Sequence, residues 1–553
     1  MADRYRELYE AFRWKVPADF NIAEWACRRW AGERHRLALY WEDESGATEA
    51  WSYWDLQQAA NRLANALACL GVARGDRVAL ILPQRPETVV TYLACFQMGA
   101  VAVPLSFLFG PEALEYRLAD SAAKVVIADA DTLATLESVR GRLPDLEHVI
   151  GCAGAKGARV LDWDATLAAA ARAFEPGASS ASDPAAIIYT SGTTGPPKGA
   201  LLPHSALLGN LSGFELSHDD FPRPGDLFWS PADWAWTGGL WDALMPTLFH
   251  GQTILGYRGR FDAERAFRLI EKYAVRNTFL FPTALKMMMK AYPRPREAFE
   301  LSLRTLMCGG EALSPAVFQW CRDGLGVTAN EIFGQTEMNY IVGNSHGHWP
   351  VKPGSMGRPY PGHRIAVIDE GGRELADGAV GDVALNRLSP DGTPDPVFFL
   401  EYWKNPGATA EKYTGDWCRT GDQAARDADG YLWYHGRADD IFKVSGYRVG
   451  PTEIENCLMK HPAVENCAVV PAPDETRGSV VKAFILLAPG HAPSDALKES
   501  IREHVKSQLA AYQQPREIEF VTELPMTTTG KVQRKVLRER EAARAISSGR
   551  PTA

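Results

Sequence analysis

The chain has 553 residues, 46% of them hydrophobic and 23% charged, with a formal net charge of −9. That length accommodates more than one core, the composition is ordinary for a soluble globular protein, and the acidic balance argues against a general nucleic-acid binder. Nine cysteines, at 27, 69, 95, 152, 308, 321, 418, 457 and 467, form no Cys-x-x-Cys pair, which speaks against a zinc site or a disulfide framework. The first residues lack an apolar signal region, and no apolar run approaches membrane-spanning length. A cytoplasmic protein without a membrane span is expected.

In chain order, Ser52 and Asp55 predict a capping box. Leu56, Ala59, Leu63, Ala66, Leu67 and Leu70 continue one helical face that Gly71 ends. Val78–Leu82 reads as a strand and Pro86–Met98 as a helix with Pro86 in its first turn. Val101–Val103 and Val125–Ala128 read as further strands. Strands alternating with helices predict parallel sheets covered on both faces. Ala165–Phe174 reads as a helix, and the Ser/Pro-rich stretch 175–184 as a surface connector.

The most informative stretch follows a buried-strand run, Ala185–Tyr189. It is Thr190-Ser191-Gly192-Thr193-Thr194-Gly195-Pro-Pro-Lys198-Gly199. Glycines let the backbone turn sharply and approach a ligand. Backbone N–H groups and hydroxyls then surround phosphate oxygens, and a lysine adds a point charge. The string is not a Walker A loop, because Gly199 follows Lys198. Downstream, Trp234, Trp236 and Trp241 crowd one segment, as a core or as the wall of an apolar pocket. Leu306–Ala312 reads as a strand entering a glycine turn, with Gly309, Gly310 and Glu311. In Glu331-Ile332-Phe333-Gly334-Gln335-Thr336-Glu337, a threonine beside a carboxylate suits a phosphate with a hard cation such as Mg2+. His346-Gly347-His348 has no partner at metal-site spacing and reads as a loop.

A second Thr-Gly-Asp ends at Asp422, a carboxylate suited to ribose hydroxyls. Gly436-Arg437-Ala438-Asp439-Asp440 and then Lys443–Arg448 follow. Beyond them the pattern changes to a small α+β unit. Thr452 and Glu455 predict a capping box before a helix reaching about Lys460. Strands are expected at Cys467–Val470, Val480–Leu487 and Arg516–Val521, and a helix at Leu497–Leu509. Near the end, Gly530-Lys531 is a bend that can thrust a lysine forward.

These stretches, in this order from about residue 25 to 540, resemble the acyl-adenylate-forming superfamily, and most closely its medium-chain acyl-CoA synthetases. The resemblance implies an α/β fold. A large N-terminal domain of layered, mostly parallel sheets with helices (1–437) binds ATP and acid. A hinge (438–440, pivot Asp439) leads to a small mobile α+β C-terminal domain (441–553). The implied enzyme activates a medium-chain, branched or aryl acid with ATP to acyl-AMP and then loads coenzyme A, with Mg2+. Its partners are small molecules, and its oligomeric state stays open between monomer and homodimer. Lys531, Lys198, Thr336 and Glu337 are implied as catalytic, and Glu337 as the metal ligand. ATP contacts are implied at Thr190, Ser191–Gly195, Lys198, Gly310, Glu311, Glu331–Thr336, Asp422, Arg437 and Lys531. Acyl contacts are implied at Trp236, Gly309 and Gly334, and coenzyme A contacts at Ser445, Gly446, Tyr447, Arg448, Arg477 and Lys506. Gly446 is expected to line the pantetheine passage. The acetate enzymes of the superfamily carry Trp where this chain has Gly334, so acetate is expected to be a poor substrate, with Gly334→Trp favouring short acids. The same residues also suit a free-standing adenylation enzyme that loads a carrier protein. A light-emitting oxygenase or a non-catalytic nucleotide sensor would share the fold.

Overall fold

The computed structural model describes residues 3–190, 196–438, 440, 442–444, 447–474, 478–510, 513–527 and 531–547. The chain divides into two compact units, Met1–Ile365 with Leu385–Cys418, and Ala366–Ala384 with Arg419–Ala553. The fold is α/β, as the alternating pattern predicts.

The first unit is built on two large sheets. In one, Leu37–Asp43, Thr253–Arg258, Leu227–Trp229, Asn277–Leu280, Thr305–Cys308 and Ala329–Gln335 run parallel as neighbours in that order. Antiparallel strands Thr48–Ser52 and Asn339–Gly343 flank them. The other holds a parallel set, Pro184–Thr190, Val101–Pro104, Arg77–Ile81, Val125–Ala128, His148–Gly151 and Val160–Asp162. Its antiparallel edge, Lys198–Pro203 and Glu401–Tyr402, follows the glycine-rich stretch 191–195 in the chain. Two apolar cores fill these layers, one around Leu255, Phe267, Leu306 and Leu325 and one around Ile81, Val103, Val126 and Ile187.

Local signals place several helices. Ser52 and Asp55 form the capping box of Tyr53–Cys69. Pro86–Met98 begins on its proline and ends at Gly99, whose φ of +73° only glycine adopts cheaply. Two expectations fail. The helix near 165 runs only Trp163–Ala169. Beyond it the carbonyls of Ala171–Phe174 accept from Asn61, Asn65 and Arg28 rather than from a next helical turn. The second capping box does not form either: the helix Pro451–Leu458 starts on proline after Gly450, with no side-chain cap. Glu455 instead accepts from the Val469 N–H at 2.8 Å and from Arg534. The second unit includes the sheet Val464–Asp474, Gly478–Leu487 and Glu517–Val521, whose core holds Ile454, Val469, Ile485 and Ile501.

The first unit also buries neutral histidines. His218 accepts or donates a 2.8 Å bond with Thr305 and packs on Phe214 and Phe228. Burial lowers its pKa to about 3. The unfolded chain then binds the extra proton as pH falls below the ordinary histidine value, so this group's contribution is whole above about pH 6.5 and lost toward pH 3. Glu331 and Asp233, raised by burial to about 8 and about 6, act with the opposite sign, so the wild-type melting profile alone does not isolate the histidine. The stability gap between wild type and His218→Gln is expected to narrow by about 2 kcal/mol from pH 7 to pH 5. Denaturant melts of both proteins at the two pH values check this, and an unchanged gap contradicts it.

Candidate active site

The glycine-rich stretch after Tyr189 is entered and left by paired strands. Thr190 pairs with Lys198 across the two strands, and its hydroxyl donates to the Lys198 carbonyl at 3.3 Å. Ser191–Gly195 lie outside the described residues. A Cβ on Gly199 would meet Ile187 at 2.7 Å, so the strands approach only because glycine stands there. On the outer edge Tyr402 pairs with Ala200, and Lys198 Nζ lies 5.1 Å over the Tyr402 ring, within cation–π range.

Thr336 and Glu337 sit where Ala329–Gln335 turns back into Asn339–Gly343. The Phe399 N–H donates to the Glu337 carbonyl at 2.9 Å, and the Leu400 N–H to the Leu201 carbonyl at 2.7 Å. One segment thus stitches the Thr-Glu turn to the exit strand of the phosphate loop. Glu337 is buried. Its Oε1 accepts from the Tyr402 hydroxyl and lies 4.0 Å from Lys412 Nζ. Lys412 donates to the Gln335 carboxamide. Sequence reasoning missed Tyr402 and Lys412. Lys412 stands just past the short helix Pro406–Glu411 and belongs to no motif; only the fold brings it to the carboxylate.

The adjoining strand ends carry the other residues. Burial pushes the Glu331 carboxyl up to about 8, while the Leu313 N–H donates to it at 3.3 Å. Gly309 packs under Ile332, where a Cβ would approach to 2.6 Å. Gly310 has φ +90° and faces the Phe281 ring. Phe281 also contacts Gly238 and forms an edge-on pair with Phe279 at 5.1 Å. Glu311 accepts from the Thr283 hydroxyl at 2.9 Å. Trp236 is half-buried, with Phe109 edge-on at 5.8 Å, whereas Trp234 and Trp241 are core residues. Phe333 is half-buried and pairs with Val342. At Gly334 a Cβ would fall within the radius of the Asn339 carbonyl oxygen, so any side chain at this position requires the turn to shift. In the 346–348 loop, His348 bonds Ser345 and Asp220, both at 2.8 Å.

In the second unit, Asp422 pairs with Arg437 across two strands. Its carboxylate accepts from Arg437 at 3.2 Å and from the Tyr434 hydroxyl at 3.1 Å. Lys531 is exposed and bonded to Thr527 through its backbone. Its N–H donates to the Thr527 hydroxyl at 3.0 Å, and its carbonyl accepts from the Thr527 N–H at 2.7 Å. Three residues on, Arg534 bonds Asp440 at 3.2 Å and Glu455 at 2.9 Å, and Arg538 also grips Asp440. Lys506 is exposed on its helix and bonds Glu503. Tyr447 and Arg448 lie in the strand Tyr447–Val449. Asp439, Ser445, Gly446 and Arg477 lie outside the described residues.

Among the described residues no three His, Cys, Asp or Glu side chains converge as a metal cage. The buried Glu337 carboxylate, near the hairpin end at Lys198, nevertheless fits Mg2+, which takes one or two carboxylates plus substrate phosphates. No helix among the described residues is long and apolar enough to cross a membrane.

Comparison with known proteins agrees with this geometry. The model for AMP-binding enzymes matches residues 26–387, and that for the AMP-binding enzyme C-terminal domain matches 453–531. The uncharacterized acyl–CoA ligase YtcI of Bacillus subtilis (strain 168) is 35% identical, over 95% of this chain and 97% of its own. The mitochondrial acyl-coenzyme A synthetase ACSM4 of Homo sapiens is 35% identical, over 95% and 91%. The crystal structure of the anthranilate CoA ligase AuaEII with anthranoyl-AMP superposes with a TM-score of 0.85 at 31% identity, covering 96% of this chain and 99% of that one.

Proposed function

The chain belongs to the AMP-binding enzyme family, as an AMP-forming acyl-CoA synthetase, and from that premise we propose that it activates a medium-chain, branched or aryl carboxylic acid. The acid's oxygen attacks the α-phosphorus of ATP, the bond to the β-phosphate oxygen breaks, and pyrophosphate leaves. The coenzyme A thiol then attacks the acyl carbon and AMP departs. The observation that carries this reading is the stitching of the Thr336-Glu337 turn to the Lys198 hairpin through residues 399–402.

Two anions must be brought together, so the site's task is to neutralise both. Lys198 and the N–H groups of the glycine-rich stretch would meet the phosphates, Thr336 would bond the α-phosphate, and Glu337 would hold Mg2+. When bound, Mg2+ offsets charge on the phosphate oxygens. Gly310, Glu311 and Glu331–Phe333 border the adenine. Asp422, itself oriented by Arg437 and Tyr434, accepts from the ribose hydroxyls. Trp236, Phe281 and Gly309 shape the acyl wall. The C-terminal domain (441–553) delivers Lys531 for the first step. Rotation at Asp439 within the 438–440 hinge then presents Ser445–Arg448, with Arg477 and Lys506, to coenzyme A. The free cysteines, all buried except Cys69, suit a reducing cytoplasm.

Aromatic walls reward acyl area. Each further methylene that is buried contributes about 0.8 kcal/mol, and the anthranoyl ligand named for AuaEII is an aryl acyl group. Butyrate to octanoate or benzoate is therefore expected to exceed acetate in specificity constant. Pyrophosphate release across an acid panel, with and without coenzyme A, tests the reading. An acetate value equal to the others defeats the substrate class. Adenylation without coenzyme A turnover, but with loading of a carrier protein, favours the free-standing adenylation enzyme.

A further inference from the structure

We propose that Lys412 is a phosphate-binding residue of the ATP site, which turns from Glu337 to the β- and γ-phosphate oxygens as Glu337 takes up Mg2+. The inference rests on the assignment of Glu337 and Lys198 to that site.

The placement comes first. Lys412 Nζ lies 4.0 Å from Glu337 Oε1, and Lys198 lies over the ring of Tyr402, whose hydroxyl bonds the same carboxylate oxygen. Two ammonium groups therefore lie near one tyrosine–glutamate pair, one of them on the hairpin that ends at Lys198. The bonding is also informative. Lys412 donates to the neutral Gln335 carboxamide and approaches Glu337 only at 4.0 Å. Its charge is held close to the carboxylate without a direct hydrogen bond to it. An ammonium has three donors and no acceptor, so it matches phosphate oxygens well. Both side chains are mostly covered, at 16% and 8% exposed, so water screens their charges weakly.

The electrostatics then require an exchange. With Glu337 free, Lys412 offsets its buried charge. With a divalent cation on Glu337, the lysine would face a stronger cation across one carboxylate, and their repulsion drives it toward the nearest anion. The triphosphate supplies that anion, delivered with the same cation. AMP lacks the β- and γ-phosphates that this role assigns to Lys412. Lys412 therefore separates ATP from AMP, retaining the substrate and pyrophosphate but not the final product.

The test is equilibrium binding, by calorimetry on the full-length protein, without acid or coenzyme A. Lys412→Met is expected to weaken MgATP at least tenfold and AMP less than twofold, and Lys412→Arg to recover most of the loss. Should the methionine variant not fold, Lys412→Gln, which keeps a partner for Gln335, is judged by the same thresholds. MgATP affinity within twofold of wild type overturns the proposal. So does equal weakening of ATP and AMP, with or without a lowered melting temperature, because that marks a structural ion pair. Wild-type protein that releases no pyrophosphate with any acid defeats the assignment of the site itself. A competent wild type with an indifferent Lys412→Met defeats only the role of Lys412.

Discussion

Lys531→Ala is expected to slow acyl-AMP formation by about a hundredfold to a thousandfold while thioester formation from supplied acyl-AMP survives. Lys531 is exposed, and its backbone is fastened on both sides to Thr527 while Met526 and Val532 bridge across the turn. These backbone bonds to Thr527 do not involve the side chain, so truncation leaves them in place. What disappears is a cation at the point where the attacking carboxylate and the α-phosphate gather negative charge. One such preorganised group is typically worth about 3–4 kcal/mol. The second step breaks a bond to a neutral acyl carbon and makes no comparable demand. Rapid-quench measurement of each half-reaction checks this. Equal losses in both would remove Lys531 from the first step.

Gly334→Ala is expected to be nearly as damaging, for a steric reason. The added methyl would overlap the Asn339 carbonyl oxygen and crowd the Tyr340 backbone. The pairing of Ala329–Gln335 with Asn339–Gly343 already shifts register between Phe333 and Gly334, which is how the strands come so close. Separating them moves Gln335, Thr336 and Glu337 together. Overpacking of this kind costs about 1–3 kcal/mol of stability, and an ångström of misplacement costs about a hundredfold in rate. ATP–pyrophosphate exchange should fall by about that factor, with a lowered melting temperature. Wild-type exchange in the alanine variant would show that the turn tolerates the shift. The glycine expected to set acyl length is also a requirement of the turn, so acyl preference is better probed at Phe281 or Trp236.

What was legible in the sequence was mostly local. Pro86 and Gly99 bracket their helix because proline fixes φ and glycine accepts φ +73°. Ser52 and Asp55 lie three residues apart and need nothing else. The order of motifs identified the family because each is a contiguous string. Thr452 and Glu455 have the same spacing and fail, because Val469 and Arg534 offer Glu455 stronger tertiary partners. Tyr402 and Lys412 reach Glu337 and Gln335 across 65 and 77 residues of chain. No spacing rule encodes such contacts; they follow from strand pairing that only the folded sheet displays. Gly334 was read by chemistry as pocket space, and only the folded turn shows how near the Asn339 carbonyl oxygen lies to it.

The grip of Arg534 and Arg538 on Asp440 has a mechanical side. Asp440 directly follows the expected pivot at Asp439, and Arg534 begins the helix Arg534–Ser547 three residues beyond Lys531. Glu455 holds the same arginine from a third element. Charged groups bonded at several points resist shear far better than a single contact does. If the chain pivots at Asp439, a twist imparted there would reach Lys531 as through a keyed shaft, with little lost motion between the axle and the tool it carries.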